Sequence, residues 1–150
     1  MMGELTKDQI DSVLRSEMIG RIGCHAEGHT YVVPVSYAYD GQHVYAHSAD
    51  GLKVRTMRSN PRICLEVEQI DNLANWRCVI GQGTYEELHD ADEDRARRLL
   101  SERFAPFITS ETAPSHAWPR TEQDSPDDTV RRSIFYRIRL IERTGRYEKR

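Results

Sequence analysis

The chain has 150 residues, the length of one ordinary domain with a single core. Twenty-one basic side chains against twenty-four acidic ones leave a formal charge of −3, and 38% of the residues are hydrophobic. No basic stripe dominates that balance, so it excludes an electrostatic grip on nucleic acid, and apolar runs such as residues 31–35 are far too short to span a membrane.

The opening Met1-Met2-Gly3-Glu4-Leu5-Thr6 lacks the basic and apolar regions of a signal peptide. Cys24, Cys64 and Cys78 are odd in number and form no C-x-x-C pair. They read as three small buried residues rather than a disulfide or zinc framework, and both features favour the cytoplasm. Lysine occurs only at Lys7, Lys53 and Lys149, which makes Lys53 the sole lysine away from the ends.

The first expected element is a helix. Thr6 and Gln9 form a capping box, Leu5 and Ile10 a hydrophobic staple, and Ile10, Val13, Leu14 and Met18 one apolar face. From Ile19 the period changes to two. Residues 19–25, 30–39 and 43–47 read as three strands joined at Ala26-Glu27-Gly28-His29 and at Asp40-Gly41, an antiparallel meander. Pro34 removes a ladder donor and so places its strand at an edge or at an irregularity. A short helix follows over residues 52–58, stopped by Ser59-Asn60-Pro61. Residues 62–69 alternate as a half-buried strand, and residues 76–88 read as a long strand bent near Gly81 or Gly83. Asp90 with Glu93 opens a second capped helix with Ala96, Leu99, Leu100, Phe104 and Phe107 on its core face. Its Arg95, Arg97, Arg98 and Arg103 read as a solvated basic face. Residues 109–129, with His116, Trp118 and Arg120, read as a surface loop, and Ile134, Tyr136, Ile138 and Leu140 begin a last strand. The order predicts one mainly β domain over residues 1–150, with antiparallel strands in a closed or partly closed barrel.

The stretch Val44-Tyr45-Ala46-His47-Ser48-Ala49-Asp50-Gly51-Leu52-Lys53 takes a strand through a glycine turn into a helix start bearing that lysine. Unpaired N–H groups and a partial positive charge receive a phosphate well there, with Arg55 or Arg58 near in sequence. A capped surface helix with a solvated lysine has the same local pattern. His25 with His29, and His43 with His47, are four apart, but no cysteine or carboxylate completes a ligand set, and no metal is expected.

The run Tyr31-Val32-Val33-Pro34-Val35-Ser36-Tyr37-Ala38-Tyr39-Asp40-Gly41, then Val44-Tyr45-Ala46-His47-Ser48 and Gly51-Leu52-Lys53, resembles the first half of the FMN-binding split β-barrels related to pyridoxamine 5'-phosphate oxidase. Arg58-Ser59-Asn60-Pro61-Arg62-Ile63, Trp76-Arg77-Cys78-Val79-Ile80 with Gly83 and Tyr85, and Thr144-Gly145-Arg146 continue it, most nearly to the nitroimidazole-resistance branch. The resemblance implies a split β-barrel, antiparallel and Greek-key-like with a few short helices. It implies FMN as cofactor, with Val33, Pro34, Val35, Ser36 and Tyr37 along the flavin ring, partly through main-chain groups. Tyr45, Ala46, His47 and Ser48 would run beside the ring and its ribityl chain, Lys53 would contact the phosphate, and Arg77, Cys78 and Val79 would reach the cofactor from the edge of the site. It further implies a homodimer with flavin sites at the interface. Cys78 departs from the small hydroxyl residue common at that position. The arginine-rich, tryptophan-bearing C-terminal motif of true pyridoxamine phosphate oxidases is missing, so that activity is not implied.

The expected function is a flavin-dependent oxidoreductase that passes electrons from NAD(P)H or a similar donor to a small organic acceptor such as a nitroaromatic. His47 is the polar group expected nearest the acceptor, in a catalytic role. The alternatives are a non-catalytic flavin-binding protein, or the same barrel holding haem or deazaflavin F420.

Overall fold

The computed structural model describes residues 1–107 and 133–150; the loop expected over 109–129, with His116, Trp118 and Arg120, lies outside the described residues. A short strand that the periodicity does not show, β1 (Met2–Glu4), precedes α1 (Lys7–Ser16). The α1 capping box forms as expected: the Gln9 N–H donates to Thr6 Oγ1 at 3.2 Å and the Thr6 N–H to Gln9 Oε1 at 2.9 Å. Leu5 and Ile10 are buried together and meet over Gly145, where an added Cβ would lie 2.7 Å from Leu5 and 3.0 Å from Ile10. The helix ends sooner than its apolar spacing suggests. Arg103 donates to the carbonyls of Arg15 and Ser16, closing the last turn and leaving Met18 outside it.

The strands β2 (Ile19–Ala26) and β3 (His29–Ser36) form a hairpin. Its turn residues Glu27 and Gly28 both take positive φ, 52° and 79°, the backbone that matches the strand twist. The strand expected over 30–39 breaks at Tyr37, before β4 (Ala38–Tyr39). Tyr37 is buried; its N–H donates to the Met18 carbonyl at 3.0 Å and its O–H to the Leu14 carbonyl at 2.8 Å, so the chain pivots on it. β5 (His43–Ala49) follows a turn held by Asp40 Oδ1, which accepts the N–H groups of Gln42 and His43.

The remaining elements are α2 (Leu52–Ser59), β6 (Arg62–Asn72), β7 (Asn75–Glu87), α3 (Asp90–Phe104) with a 3-10 turn (Ala105–Phe107), and β8 (Ser133–Glu148). All pairings are antiparallel, in the order β3-β2-β6-β7-β8-β5-β4, with β1 on the far end of β8. The meander is therefore corrected: β3 and β5 stand near opposite ends of the pairing order instead of side by side, because the Tyr37 pivot turns the chain away. The fold is mostly β, and among the described residues the sheet is antiparallel and not closed by strand pairing, which is the split-barrel architecture expected. The bend expected near Gly81 or Gly83 is a register shift between Gln82 and Gly83, where an added Cβ would lie 2.7 Å from the Arg139 carbonyl oxygen. The two chain ends meet: the Met1 ammonium donates to the Lys149 carbonyl at 2.8 Å.

The inner face of the sheet packs Ile22, Leu65, Val67 and Ile138 against Val13 and Leu14 of α1 and Met57 of α2. A smaller cluster joins Ala96 and Leu100 of α3 to Tyr45, Leu88 and Phe135. The start of α3 differs from expectation: His89 is the N-cap without a side-chain bond, and Asp90 takes a φ of 53° inside the first turn instead of capping it. Phe107 lies beyond the helix and is 63% exposed. Among the described residues, no helix is long and apolar enough to cross a membrane.

Candidate functional site

The split lies between the two ends of the sheet. Among the described residues β3 pairs only with β2, and β5 pairs with β4 only at Val44 and Tyr45. The main chain of residues 31–36 and of residues 46–49 therefore carries open edges, and the curve of the sheet brings β3 and β5 within 8 Å of each other between Cα atoms. Pro34, opposite Arg21 on β3, sits where a residue without an N–H is tolerated.

At the end of β5 the Gly51 N–H donates to the Ala49 carbonyl at 2.8 Å, and the chain enters α2. Gly51 is the N-cap, with no side-chain capping bond and no acidic residue in the first turn. The first amides and their partial positive charge are thus left to an outside acceptor. Lys53 stands in that first turn, half-buried and with no ion pair or hydrogen bond among the described residues. Burial pulls its ammonium below the usual lysine range, and the nearby Cys24 thiol acts weakly in the other direction. A half-buried cation beside unpaired helix amides is chemically a receptor for a phosphate-like anion.

His47 lies across this site on β5, its ring stacked on Phe135 with centroids 5.8 Å apart. Burial first, then Lys53 and Arg97, push its imidazole down to about 4, so it is neutral at pH 7. The Arg97 guanidinium lies 4.5 Å over the Phe135 ring. Ser48 Oγ donates to the buried Tyr136 hydroxyl at 3.3 Å, and burial pushes that phenol up to about 12.

The other expected site residues divide by depth. Val33 is half-buried and Pro34 and Ser36 are exposed along the β3 edge. The side chains of Val35, Tyr37, Tyr45, Ala46 and Val79 are in the core, so these residues offer a ligand only main chain. Tyr45 is further tied down, its O–H donating to Asp40 Oδ2 at 3.1 Å. Arg77, Cys78 and Val79 are not brought to the split within one chain. Arg77 pairs with Tyr147 near the end of β8, whereas His47 pairs with Phe135 near its start. Arg77 lines a separate groove of about 670 Å³ with Trp76, Gln69 and Lys149. The Cys78 thiol donates to Glu66 Oε1 at 3.5 Å, and burial followed by that carboxylate pushes it up to about 11. Of the two arginines near Lys53 in sequence, Arg58 is engaged elsewhere: it grips both oxygens of Glu87, at 2.7 and 3.1 Å, and Asp50 at 3.1 Å. Arg55 lines a groove of about 590 Å³ between α2 and the β2–β3 hairpin.

Sequence reasoning missed Cys24 and Arg97. Arg97 adjoins the apolar stripe of Ala96 and Leu100, a flank position whose long side chain reaches over the core edge, and that adjacency is the signal that could have found it. Cys24 gave no such signal. Among the described residues no group of three His, Cys, Asp or Glu side chains gathers to hold a metal.

Comparison with known proteins gives a consistent picture. Residues 6–147 match the pyridoxamine 5'-phosphate oxidase family. A curated, uncharacterised protein of Rhizobium meliloti (strain 1021) is 26% identical over 144 residues, which cover 95% of this chain and 92% of that protein. The crystal structure of an FAD-binding protein of Mesorhizobium loti superposes with a TM-score of 0.74 at 29% identity, covering 100% of this chain and 98% of that one. A candidate 5-nitroimidazole antibiotic resistance protein of Bacteroides thetaiotaomicron shares the fold with a TM-score of 0.68 at 17% identity, over 98% and 89% of the two chains.

Proposed function

Since this chain belongs to the pyridoxamine 5'-phosphate oxidase family, we propose that it binds a flavin in the split, with the ribityl phosphate at Lys53 and the start of α2, and works as a flavin-dependent oxidoreductase on a small organic acceptor. The observation that carries this reading is Lys53, a half-buried ammonium without an anionic partner among the described residues, beside helix amides that no side chain caps. The FAD-binding relative supports the cofactor class. FMN, the cofactor expected from the sequence, is the smallest flavin that carries the required phosphate.

When bound, the flavin supplies the electron-transfer chemistry, and the protein supplies position and electrostatics. The open edges of β3 and β5 offer main-chain donors and acceptors to the ring. Phe135 holds the imidazole of His47 in place, and burial, aided by Lys53 and Arg97, keeps it neutral, able to accept or donate one hydrogen bond at the acceptor. Arg77 and Cys78 lie away from this site within one chain, and a homodimer in which a second copy brings them to the split reconciles their expected role with their position. A reduced nicotinamide is the proposed electron donor.

The test is the absorption spectrum of the purified protein, with titration of FMN into wild type and Lys53→Ala. A yellow protein whose FMN affinity falls about ten- to a hundredfold on substitution is expected, since a charge-assisted hydrogen bond contributes roughly 1.5–3 kcal/mol. A wild type that binds no flavin, or a variant that binds as well as wild type, overturns the phosphate assignment.

A further inference from the structure

We propose that Tyr136, Tyr85 and Glu87 form a relay that carries an oxidising equivalent from the flavin site to the protein surface, the electron leaving Tyr85 by way of Tyr136 and the Tyr85 proton passing to Glu87. This rests on the flavin reading above, with the light-excited flavin as the one-electron oxidant.

The relay is built across two paired strands. Tyr85 of β7 stands opposite Ile138 of β8, and Tyr136 of β8 stands opposite Glu87 of β7. Residues two apart on a strand share a face, so the two tyrosines are diagonal neighbours on the inner side of the sheet. Their ring centroids lie 5.2 Å apart with the planes inclined at 42°, and both side chains are buried. The inner end of the pair touches the site: the Tyr136 hydroxyl accepts from Ser48 of β5, the chain neighbour of His47. The outer end is Glu87, whose Oε1 accepts the Tyr85 O–H at 2.8 Å and whose carboxylate is gripped by Arg58 at the surface. Ring contact and hydrogen bonds thus run without a gap from β5 to a solvent-facing ion pair.

The two hydroxyls differ in what can take a proton from them. Burial pushes the Tyr136 phenol up to about 12; burial and then Glu87 raise that of Tyr85, so both are protonated at neutral pH. A phenol that loses an electron becomes a strong acid, and its neutral radical persists only where a base receives the proton. Among the described residues the Tyr136 hydroxyl meets Ser48, which donates to it. Tyr85 donates to a carboxylate, and Arg58 holds that carboxyl below its ordinary 4.5 and therefore ionised. The sum balances: one electron passes to the flavin, Tyr85 loses that electron and its proton, and Glu87 gains the proton. Tyr136, oxidised and then re-reduced by Tyr85, ends unchanged.

The experiment illuminates FMN-loaded wild type, Tyr136→Phe, Tyr85→Phe and Glu87→Gln with blue light in the absence of air. Electron paramagnetic resonance reads the tyrosyl radical, and transient absorption reads how fast it forms. Each substitution keeps the shape of the side chain, and FMN affinity is expected unchanged in Tyr85→Phe and Glu87→Gln. Wild type should give a tyrosyl signal that forms more slowly in heavy water, because a proton moves with the electron. Tyr85→Phe should lose the signal and Tyr136→Phe most of it, while Glu87→Gln should lower the yield and abolish the solvent isotope effect. No tyrosyl signal in wild type, or a full signal in Tyr85→Phe or in Tyr136→Phe, overturns the relay and leaves the flavin site standing. A rate that heavy water does not change, or a Glu87→Gln that matches wild type, overturns the proton transfer and the relay with it. A wild type that binds no FMN overturns the underlying reading and removes the oxidant.

Discussion

Arg58 and Lys53 stand toward opposite ends of one eight-residue helix, and only one of them is answered by carboxylates. Arg58 holds both oxygens of Glu87 and one of Asp50, and Glu87 Oε1 also accepts the Tyr85 O–H at 2.8 Å. Lys53 is half-buried with no such partner among the described residues. The closed network fixes α2 against β7 and engages Asp50, the carboxylate nearest in sequence to the helix start, so that end stays electrically open. Where charge is balanced inside the chain it serves position; where it is left unbalanced at partial burial, an outside anion is the physical complement.

The strongest way to break this contrast is to loosen the helix that carries both ends. Met57 is α2's side chain in the main core and is 0% exposed; Met57→Ala should lower stability by about 2–5 kcal/mol, read as a reduced urea midpoint. Arg58→Ala should cost less, about 1–2 kcal/mol, because the pair is partly solvated. Its pH dependence identifies the cause. Arg58 holds the Glu87 carboxyl below its ordinary 4.5, so the network's contribution is complete above that pH and fades as pH falls through the folded value. The gap between wild type and Arg58→Ala should therefore be widest near neutrality and shrink below pH 4.5; a constant gap would mean that packing, not charge, was lost. The smallest effect sharpens the open end. The His47 imidazole should titrate near pH 4 by NMR, and Lys53→Ala should raise that midpoint by only a fraction of a unit, because burial outranks Lys53 among its causes. An ordinary midpoint near 6.5 in wild type would contradict the buried placement of His47.

How much of this was legible in the chain follows from the range of each interaction. The Thr6–Gln9 capping box, the Asp40-Gly41 turn and the alternation of β6 depend on residues a few positions apart, and each is readable directly. The Tyr37 break is not, because its determinant is the carbonyl of Leu14, far back in α1, and with it went the order of the strands. Asp90 resembles a cap in composition, but the backbone enters α3 one residue earlier at His89. In the site, Lys53 was legible because a strand, a glycine turn and a helix start are consecutive. Nothing in sequence announces that Arg58 belongs to Glu87, twenty-nine residues away, or that Arg77 lies at the other end of β8 from the partner of His47.

The pairing of β1 with the last residues of β8 has a practical corollary. Both chain ends emerge beside the groove that holds Arg77, the Met1 ammonium touching Lys149, which itself lines that groove. A purification tag or fusion partner at either terminus would crowd the Arg77 side first and leave the mouth at Lys53 clear. Tagged and cleaved protein thus offer a built-in steric probe: bulk at the termini bears on any association through the Arg77 surface before it bears on what enters the split.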